Sequence, residues 1–172
     1  MTNFDWVDKR DEEIEESRGK DYFRIEEGEN KFLLLSHFAP LAQTFNPATK
    51  KYDVAEMGEQ GASIKGVCWV AQEDGGEWLV KQAKLPYTIV KMVRDLSKND
   101  DWDFELPFKH RMTLNAVGAG TKEVKYSLQP SPKAMEIPES VLTALKEKKS
   151  PEDIVDMIKS SAANAEADGG KD

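Results

Sequence analysis

The clearest pattern of hydrophobic and polar positions is a pair of regular, strand-like segments joined by Gly75-Gly76. Residues 65–72 (KGVCWVAQ) and 77–84 (EWLVKQAK) are each short and rich in strand-forming side chains. Adjacent glycines supply the backbone angles that a tight turn requires. The pattern therefore predicts a β-hairpin.

A helix and a second hairpin follow in the pattern. Residues 87–98 place apolar side chains at helical spacing after a proline, and residues 99–105 break that spacing. Bulky and polar residues then alternate over 108–116, which predicts a strand. A Gly-rich turn leads to a return strand over 123–129.

The segment before the first hairpin predicts two more strands, over 22–25 and 31–36, around a turn that contains Gly28 and Asn30. The apolar run Phe32-Leu33-Leu34-Leu35 is continuous, which is typical of a strand buried on both faces. Residues 39–64 contain prolines, glycines and scattered polar residues. We expect them to form a long connection, and long ordered loops often carry function.

The two ends of the chain differ from its middle. Residues 1–20 predict an acidic arm with a short helix, and residues 134–159 predict two C-terminal helices. The second of these begins at Ser150-Pro151, a favourable helix start. Residues 160–172 are small, polar and acidic, and predict a disordered tail.

This order of elements predicts a mainly β fold with helices. A helix placed late between strand pairs of a small barrel is typical of the OB-fold, a five-stranded Greek-key barrel. The barrel domain would span residues 21–133, with the C-terminal helices outside it. A plain α+β sandwich is the alternative, because sequence does not specify how the strands close.

Composition narrows the chemistry. The formal net charge is −8, but residues 65–133 carry 11 bases and 9 acids, so the middle of the chain is mildly basic. One cysteine, Cys68, and two histidines, His37 and His110, predict neither disulfides nor a metal site. The sequence contains no apolar run long enough to span a membrane and no signal-type N-terminus, so we expect a cytoplasmic protein.

Three segments of the sequence resemble those of a known family. They are DYFRIEEGENKFLLLS, KGVCWVAQEDGGEWLVKQAKLPYTIVKMVRDLSKNDDWDFE and HRMTLNAVGAGTKEVKYSLQPSPK. Together they resemble small phage-encoded single-stranded DNA-binding proteins with an OB-fold, over residues 21–133. The resemblance implies a protein of the host cytoplasm that coats exposed strands during DNA replication, recombination or repair. The zinc ligands of larger phage relatives are missing from this sequence.

The sequence contains no nucleotide-binding loop, nucleophile motif or deaminase signature, so we expect no enzymatic activity and no cofactor. The leading hypothesis is a single-stranded DNA-binding protein without sequence preference. The alternatives are a small-barrel protein–protein adaptor and a phage structural protein. Affinity for an oligonucleotide that falls steeply with salt would distinguish the first hypothesis from the other two.

Single-strand binders combine exposed aromatic rings with basic residues that follow the backbone. Trp69 shares its predicted strand face with Val67 and Ala71, which favours burial, whereas the environment of Trp78 is ambiguous. Alternation along the predicted strands indicates that Lys81, Lys109, Arg111 and Lys125 can each reach solvent. The candidate binding residues are Phe38, Phe45, Lys50, Lys51, Tyr52, Trp78, Lys81, Lys109, Arg111 and Lys125.

The acidic tail suggests a regulatory role. It contains Glu166, Asp168 and Asp172 against one base. A mobile anion near a basic groove would compete with DNA, or would recruit replication or recombination proteins. The alternative is a tail that only improves solubility.

Overall fold

The computed structural model describes the backbone of residues 21–169, with side chains for all of these except 51 and 163–169. At its centre is a long antiparallel hairpin of β4 (Ser63–Asp74) and β5 (Glu77–Pro86). Gly75 and Gly76 form its turn with φ of 61° and 84°, angles that glycine adopts without steric cost. The predicted hairpin is confirmed, and both strands are longer than the sequence indicated.

The edge of β4 that does not pair with β5 is shared by two strands. The first half of β4 pairs with β2 (Ala39–Asn46), and Leu33 and Leu34 of β1 (Gly28–Leu34) pair with its second half. On its far edge β1 pairs with β6 (Met112–Val117), which forms a hairpin with β7 (Lys125–Pro130).

All these ladders are antiparallel, as is the pairing of β3 (Lys51–Val54) with β2, and the strand order is β3-β2-β4-β1-β6-β7 with β5 on β4. In the described part of the chain β5 and β7 do not pair, so the sheet is open. The structure therefore confirms a mainly β fold with helices.

The structure corrects the prediction of a long connection over residues 39–64. This segment contains the β2–β3 hairpin, with β3 at Lys51–Val54. The side chain of Asn46 shapes its turn by accepting hydrogen bonds from the backbone N–H of Ala48 (3.0 Å) and Thr49 (3.4 Å). The sequence did not predict this hairpin, because the segment contains two prolines and β3 is short. Pairing with β4 supplies the hydrogen bonds that the local pattern does not indicate.

Two predicted strands are shorter than expected. Residues 22–25 contribute a single bridge between Tyr22 and Gln82, and β1 begins at Gly28. The strand predicted from residue 108 begins at Met112, although the N–H of Phe108 already donates to the carbonyl of Leu34.

Within residues 21–169 the helices are α1 (Tyr87–Ser97), α2 (Glu139–Lys146) and α3 (Pro151–Gly169), with a 3₁₀ turn at Asp100–Trp102. The hydroxyl of Ser150 caps α3 by accepting from the N–H of Asp153 at 3.2 Å.

The structure differs from the prediction of a disordered tail, because α3 continues through residues 160–169. Alanine-rich sequence extends a helix that is already nucleated at little cost. Residues 170–172 and the predicted N-terminal arm of residues 1–20 lie outside the described residues.

The centre of the sheet is buried on both faces. On one face, Phe32, Cys68 and their neighbours pack against Ile89 and Val93 of α1. On the other face, an outer core is formed by sheet and C-terminal helices; its buried members are Leu33, Leu35, Ala39, Leu41, Val67, Trp69, Ala71, Val141, Ile154 and Val155. The interpretation of Phe32–Leu35 as a doubly buried strand is confirmed, as is the burial of Cys68 and Trp69. Burial also raises the pKa of the Cys68 thiol.

Candidate functional site

An open groove of about 1030 Å³ runs from the β2–β3 hairpin, past the junction of β5 and α1, to the β6–β7 turn and the start of β7. We call it the aromatic–lysine groove, after the residues that define its chemistry: Phe45, Tyr52, Tyr126, Lys65, Lys122 and Lys125. Chain segments from both halves of the sheet are needed to form it.

Two of the rings come from opposite positions on the β2–β3 hairpin. Phe45 and Tyr52 are paired across the ladder, with ring centroids 5.3 Å apart and planes inclined at 60°. About half of each side chain is exposed, 54% for Phe45 and 53% for Tyr52. The hairpin therefore presents two adjacent rings to solvent, each with surface that a flat ligand could cover.

Lys65 lies beside these rings at the start of β4. Its Nζ is 5.6 Å from the centre of the Tyr52 ring, which is within the range of a cation–π interaction. Partial burial lowers the pKa of Lys65. The arrangement fixes a cation next to an aromatic surface instead of leaving it free in solvent.

The other wall of the groove is formed by the β6–β7 turn and β7. Tyr126 is partly buried, and burial raises the pKa of its hydroxyl, with a further increase from the neighbouring Tyr52. Lys122 and Lys125 are exposed on the same wall. Aromatic and cationic groups thus line both walls.

The groove differs in charge from the molecule as a whole. Among residues 21–169, no Asp or Glu lines it, although the chain has a net charge of −8. A second cleft, at the β4–β5 turn, contains Lys31, Trp78 and Arg111 but also Glu73, whose carboxylate is 4.0 Å from the Arg111 guanidinium. An anionic ligand therefore meets less repulsion in the aromatic–lysine groove.

Three of the candidates from sequence lie together in this groove, namely Phe45, Tyr52 and Lys125. Sequence reasoning missed Lys65, Lys122 and Tyr126. The signal available was proximity in the chain, because Lys122 and Tyr126 flank Lys125 within one hairpin. Nothing local indicated that Lys65 would lie beside Tyr52.

The expectation that Lys81 reaches solvent is wrong. Its side chain is buried, and its Nζ donates to the Gln72 side-chain oxygen at 2.9 Å. Strand alternation correctly places Lys81 on the opposite face from Val80. At this position, however, that face is covered by other residues of the same chain.

The remaining candidates lie elsewhere. Phe38 is half-buried against the core, Trp78 packs on the outer core, and Arg111 lines the second cleft with it. Lys109 is exposed, and its backbone carbonyl accepts a hydrogen bond from the N–H of Met135, in the segment that leads to α2.

Lys50 is exposed at the β2–β3 turn, where it adopts φ of 59°. The backbone of Lys51 pairs with Asn46 across the hairpin.

Within residues 21–169, no three His, Cys, Asp or Glu side chains are grouped so that they could hold a metal ion. His110 is partly buried, with Nδ1 2.7 Å from the carbonyl oxygen of Ser131. None of the helices in the described part of the chain has both the length and the apolar character needed to cross a membrane.

Comparison of the chain with protein-family models, with curated proteins and with solved structures gives no match.

Proposed function

We propose that the protein binds single-stranded DNA without sequence preference, along the aromatic–lysine groove, and that it coats exposed strands during replication, recombination or repair. The observation that carries the proposal is the exposed Phe45–Tyr52 ring pair beside three lysines, with no carboxylate among the described residues that line the groove. This role requires no catalytic group.

The chemistry favours single strands over duplexes. An unpaired base offers its flat face to an exposed ring, and each such stacking contact contributes about 1–3 kcal/mol. In a duplex those faces are covered by neighbouring base pairs. Lysines contact phosphates, which carry no base identity, so the same groove would accept any sequence.

We further propose that the sheet is an OB-type barrel of the kind found in phage single-stranded DNA-binding proteins. If β1 and β2 are counted as one bent strand, the order is β1/β2, β4, β5, α1, β6, β7, with β3 inserted in the first connection. OB-folds are partly open five-stranded barrels that bind oligonucleotides with the loops between strands one and two and between strands four and five.

The residues that line the groove support this proposal. Tyr52 belongs to the connection between the first two strands, and Lys122 belongs to the turn between the last two. The agreement between the strand order and the position of the groove supports both proposals together.

The test is binding of a fluorescent oligo-dT, measured by anisotropy, to the full chain and to Phe45→Ala and Tyr52→Ala variants. We expect each substitution to weaken binding by about tenfold, the equivalent of about 1.4 kcal/mol.

Tyr87→Ala is the matched control for this test. Tyr87 is equally exposed and has the Nζ of Lys91 5.2 Å from its ring centre, but it does not line the groove. We expect Tyr87→Ala to bind as the parent chain does. Absence of oligo-dT binding by the parent, or equal losses in the groove and control variants, would overturn the proposal.

A further inference from the structure

The carboxylate of Glu27 binds the turn between β6 and β7. Its two oxygens accept hydrogen bonds from consecutive backbone N–H groups, those of Gly118 at 3.2 Å and Ala119 at 2.8 Å. These donors lower the pKa of Glu27, because they stabilise the ionised carboxylate. Glu27 is exposed and lies 91 and 92 residues from its two partners in the chain.

Glu27 itself lies in a turn that side-chain hydrogen bonds hold. The buried side chain of Asn30 accepts a hydrogen bond from the Glu26 N–H at 2.8 Å and donates to the carbonyls of Glu26 and Leu114 at 2.9 and 3.2 Å. Gly28 takes φ of 91°, which permits the chain to reverse there. The carboxylate therefore extends from a fixed base at the start of β1.

The turn that Glu27 binds carries part of the aromatic–lysine groove. Gly118 and Gly120 both have positive φ, and the Thr121 hydroxyl donates to the Gly118 carbonyl at 2.7 Å. Gly120, Thr121 and Lys122 line the groove directly after the two N–H groups that Glu27 engages. Fixing Gly118 and Ala119 thus fixes the approach of Lys122.

We infer that Glu27 is a positioning residue for nucleic-acid binding, which holds the β6–β7 turn so that Lys122 contacts the phosphate backbone. The inference rests on the proposed function. The inference predicts a change in affinity opposite in sign to that expected from charge alone. By simple electrostatics, removal of an acid from an acidic protein should strengthen DNA binding. Removal of Glu27 should weaken it.

The test compares Glu27→Ala with Glu29→Ala in oligo-dT binding. Glu29 lies two residues further along and is exposed, and its side chain makes no hydrogen bond or ion pair in the described part of the chain. Each phosphate contact to a single strand adds about 0.7 to the salt slope, which amounts to about fivefold in affinity at 0.1 M salt. We therefore expect Glu27→Ala to bind about fivefold more weakly than the parent, and Glu29→Ala to bind equally or slightly more tightly.

Two further measurements separate positioning from general destabilisation. In a Lys122→Gln background, Glu27→Ala should cause no additional loss of affinity. The amide protons of Gly118 and Ala119 should exchange faster in the variant, while thermal unfolding stays near that of the parent. Glu27→Gln, which keeps one acceptor oxygen, should give an intermediate affinity and serves if the alanine variant does not fold.

If the parent binds oligo-dT and Glu27→Ala matches Glu29→Ala, the positioning role is wrong and the proposed function stands. Equal losses from Glu27→Ala with and without Lys122 would also contradict it. If the parent chain does not bind, both proposals fail together.

Discussion

Gly66 of β4 shows how closely α1 packs on the sheet. A Cβ built at this residue would lie 2.6 Å from Cγ2 of Val90 and 2.9 Å from Cδ1 of Phe38. Neither neighbour can withdraw freely, since both are partly buried against the core. We expect Gly66→Ala to lower the free energy of unfolding by about 1–3 kcal/mol, measured by urea denaturation, because overpacking forces strain on its surroundings.

A double-mutant cycle with Val90→Ala provides the control. Shortening Val90 removes the closest clash, so Gly66→Ala should cost clearly less in that background than in the parent. An equal cost in both backgrounds would show that the strain arises elsewhere than at the contact with α1.

Trp69 and Trp78 lie on paired strands of the same hairpin but differ in burial. The indole N–H of Trp69 donates to the carbonyl of Lys149 at 2.8 Å, which ties the connection between α2 and α3 to β4. Trp78, on the partner strand, remains partly exposed. Strand alternation predicted the burial of Trp69, but the partner of its N–H depends on the docking of a segment 80 residues away.

Among the elements, the C-terminal helices belong to the core and are not an appendage to it. Val141 of α2 and Ile154 and Val155 of α3 are buried on the outer face of the sheet. A chain ending at Lys133 should therefore expose that face and fail to fold cooperatively. A chain ending at Lys159 keeps all three residues and should unfold thermally within a few degrees of the full chain.

Circular dichroism melts of the two truncated chains measure this prediction. Cooperative unfolding of the shorter chain would show that the sheet is stable without α2 and α3. A marked loss of thermal stability in the longer one would mean that residues beyond Lys159 contribute to docking.

The start of α3 is also the place where stability should respond to pH. The Glu152 carboxylate has its pKa lowered, first by its own backbone N–H at the helix N-terminus and then by His37, whose Nε2 lies 2.6 Å away. A lowered pKa in the folded state means that the ionised form is stabilised. This contribution is complete above the carboxyl's ordinary pKa and is lost as the pH falls through the lowered value.

We expect Glu152→Gln to flatten the fall in melting temperature between neutral pH and about pH 3, measured by calorimetry. Glu29→Gln removes the same charge without these partners and should leave the pH profile as steep as in the parent. Identical profiles for Glu152→Gln and the parent would contradict the prediction.

At the scale of the whole molecule, charge is segregated. The net charge of −8 coexists with a groove that Lys65, Lys122 and Lys125 line, and to which the described part of the chain contributes no carboxylate. If these three lysines neutralise three phosphates, the plot of log affinity against log salt should have a slope of about −2, since each contact to a single strand contributes about −0.7.

Oligo-dT titrations at several salt concentrations measure this slope, and Lys125→Gln should make it shallower by about 0.7. Arg111→Gln, in the second cleft, is the control and should leave the slope unchanged. A slope steeper than about −4 in the parent would indicate phosphate contacts well beyond this groove.

The sequence by itself determined the elements whose signals are local. The β4–β5 hairpin has adjacent turn glycines, α1 has apolar residues at helical spacing, and Phe32–Leu35 is continuously apolar. Short-range patterns suffice here because a turn, a helix period and a doubly buried strand are each specified by consecutive residues. Strand alternation also predicted which face of β4 holds Trp69.

Only the tertiary structure decided which distant segments meet. The β2–β3 hairpin depends on pairing with β4, the burial of Lys81 depends on what covers its face, and the contact of Glu27 with the β6–β7 turn spans about half the chain. The aromatic–lysine groove likewise joins Phe45 to Lys125. Periodicity tells which side of an element a residue occupies, whereas the neighbours on that side are set by long-range strand pairing and packing.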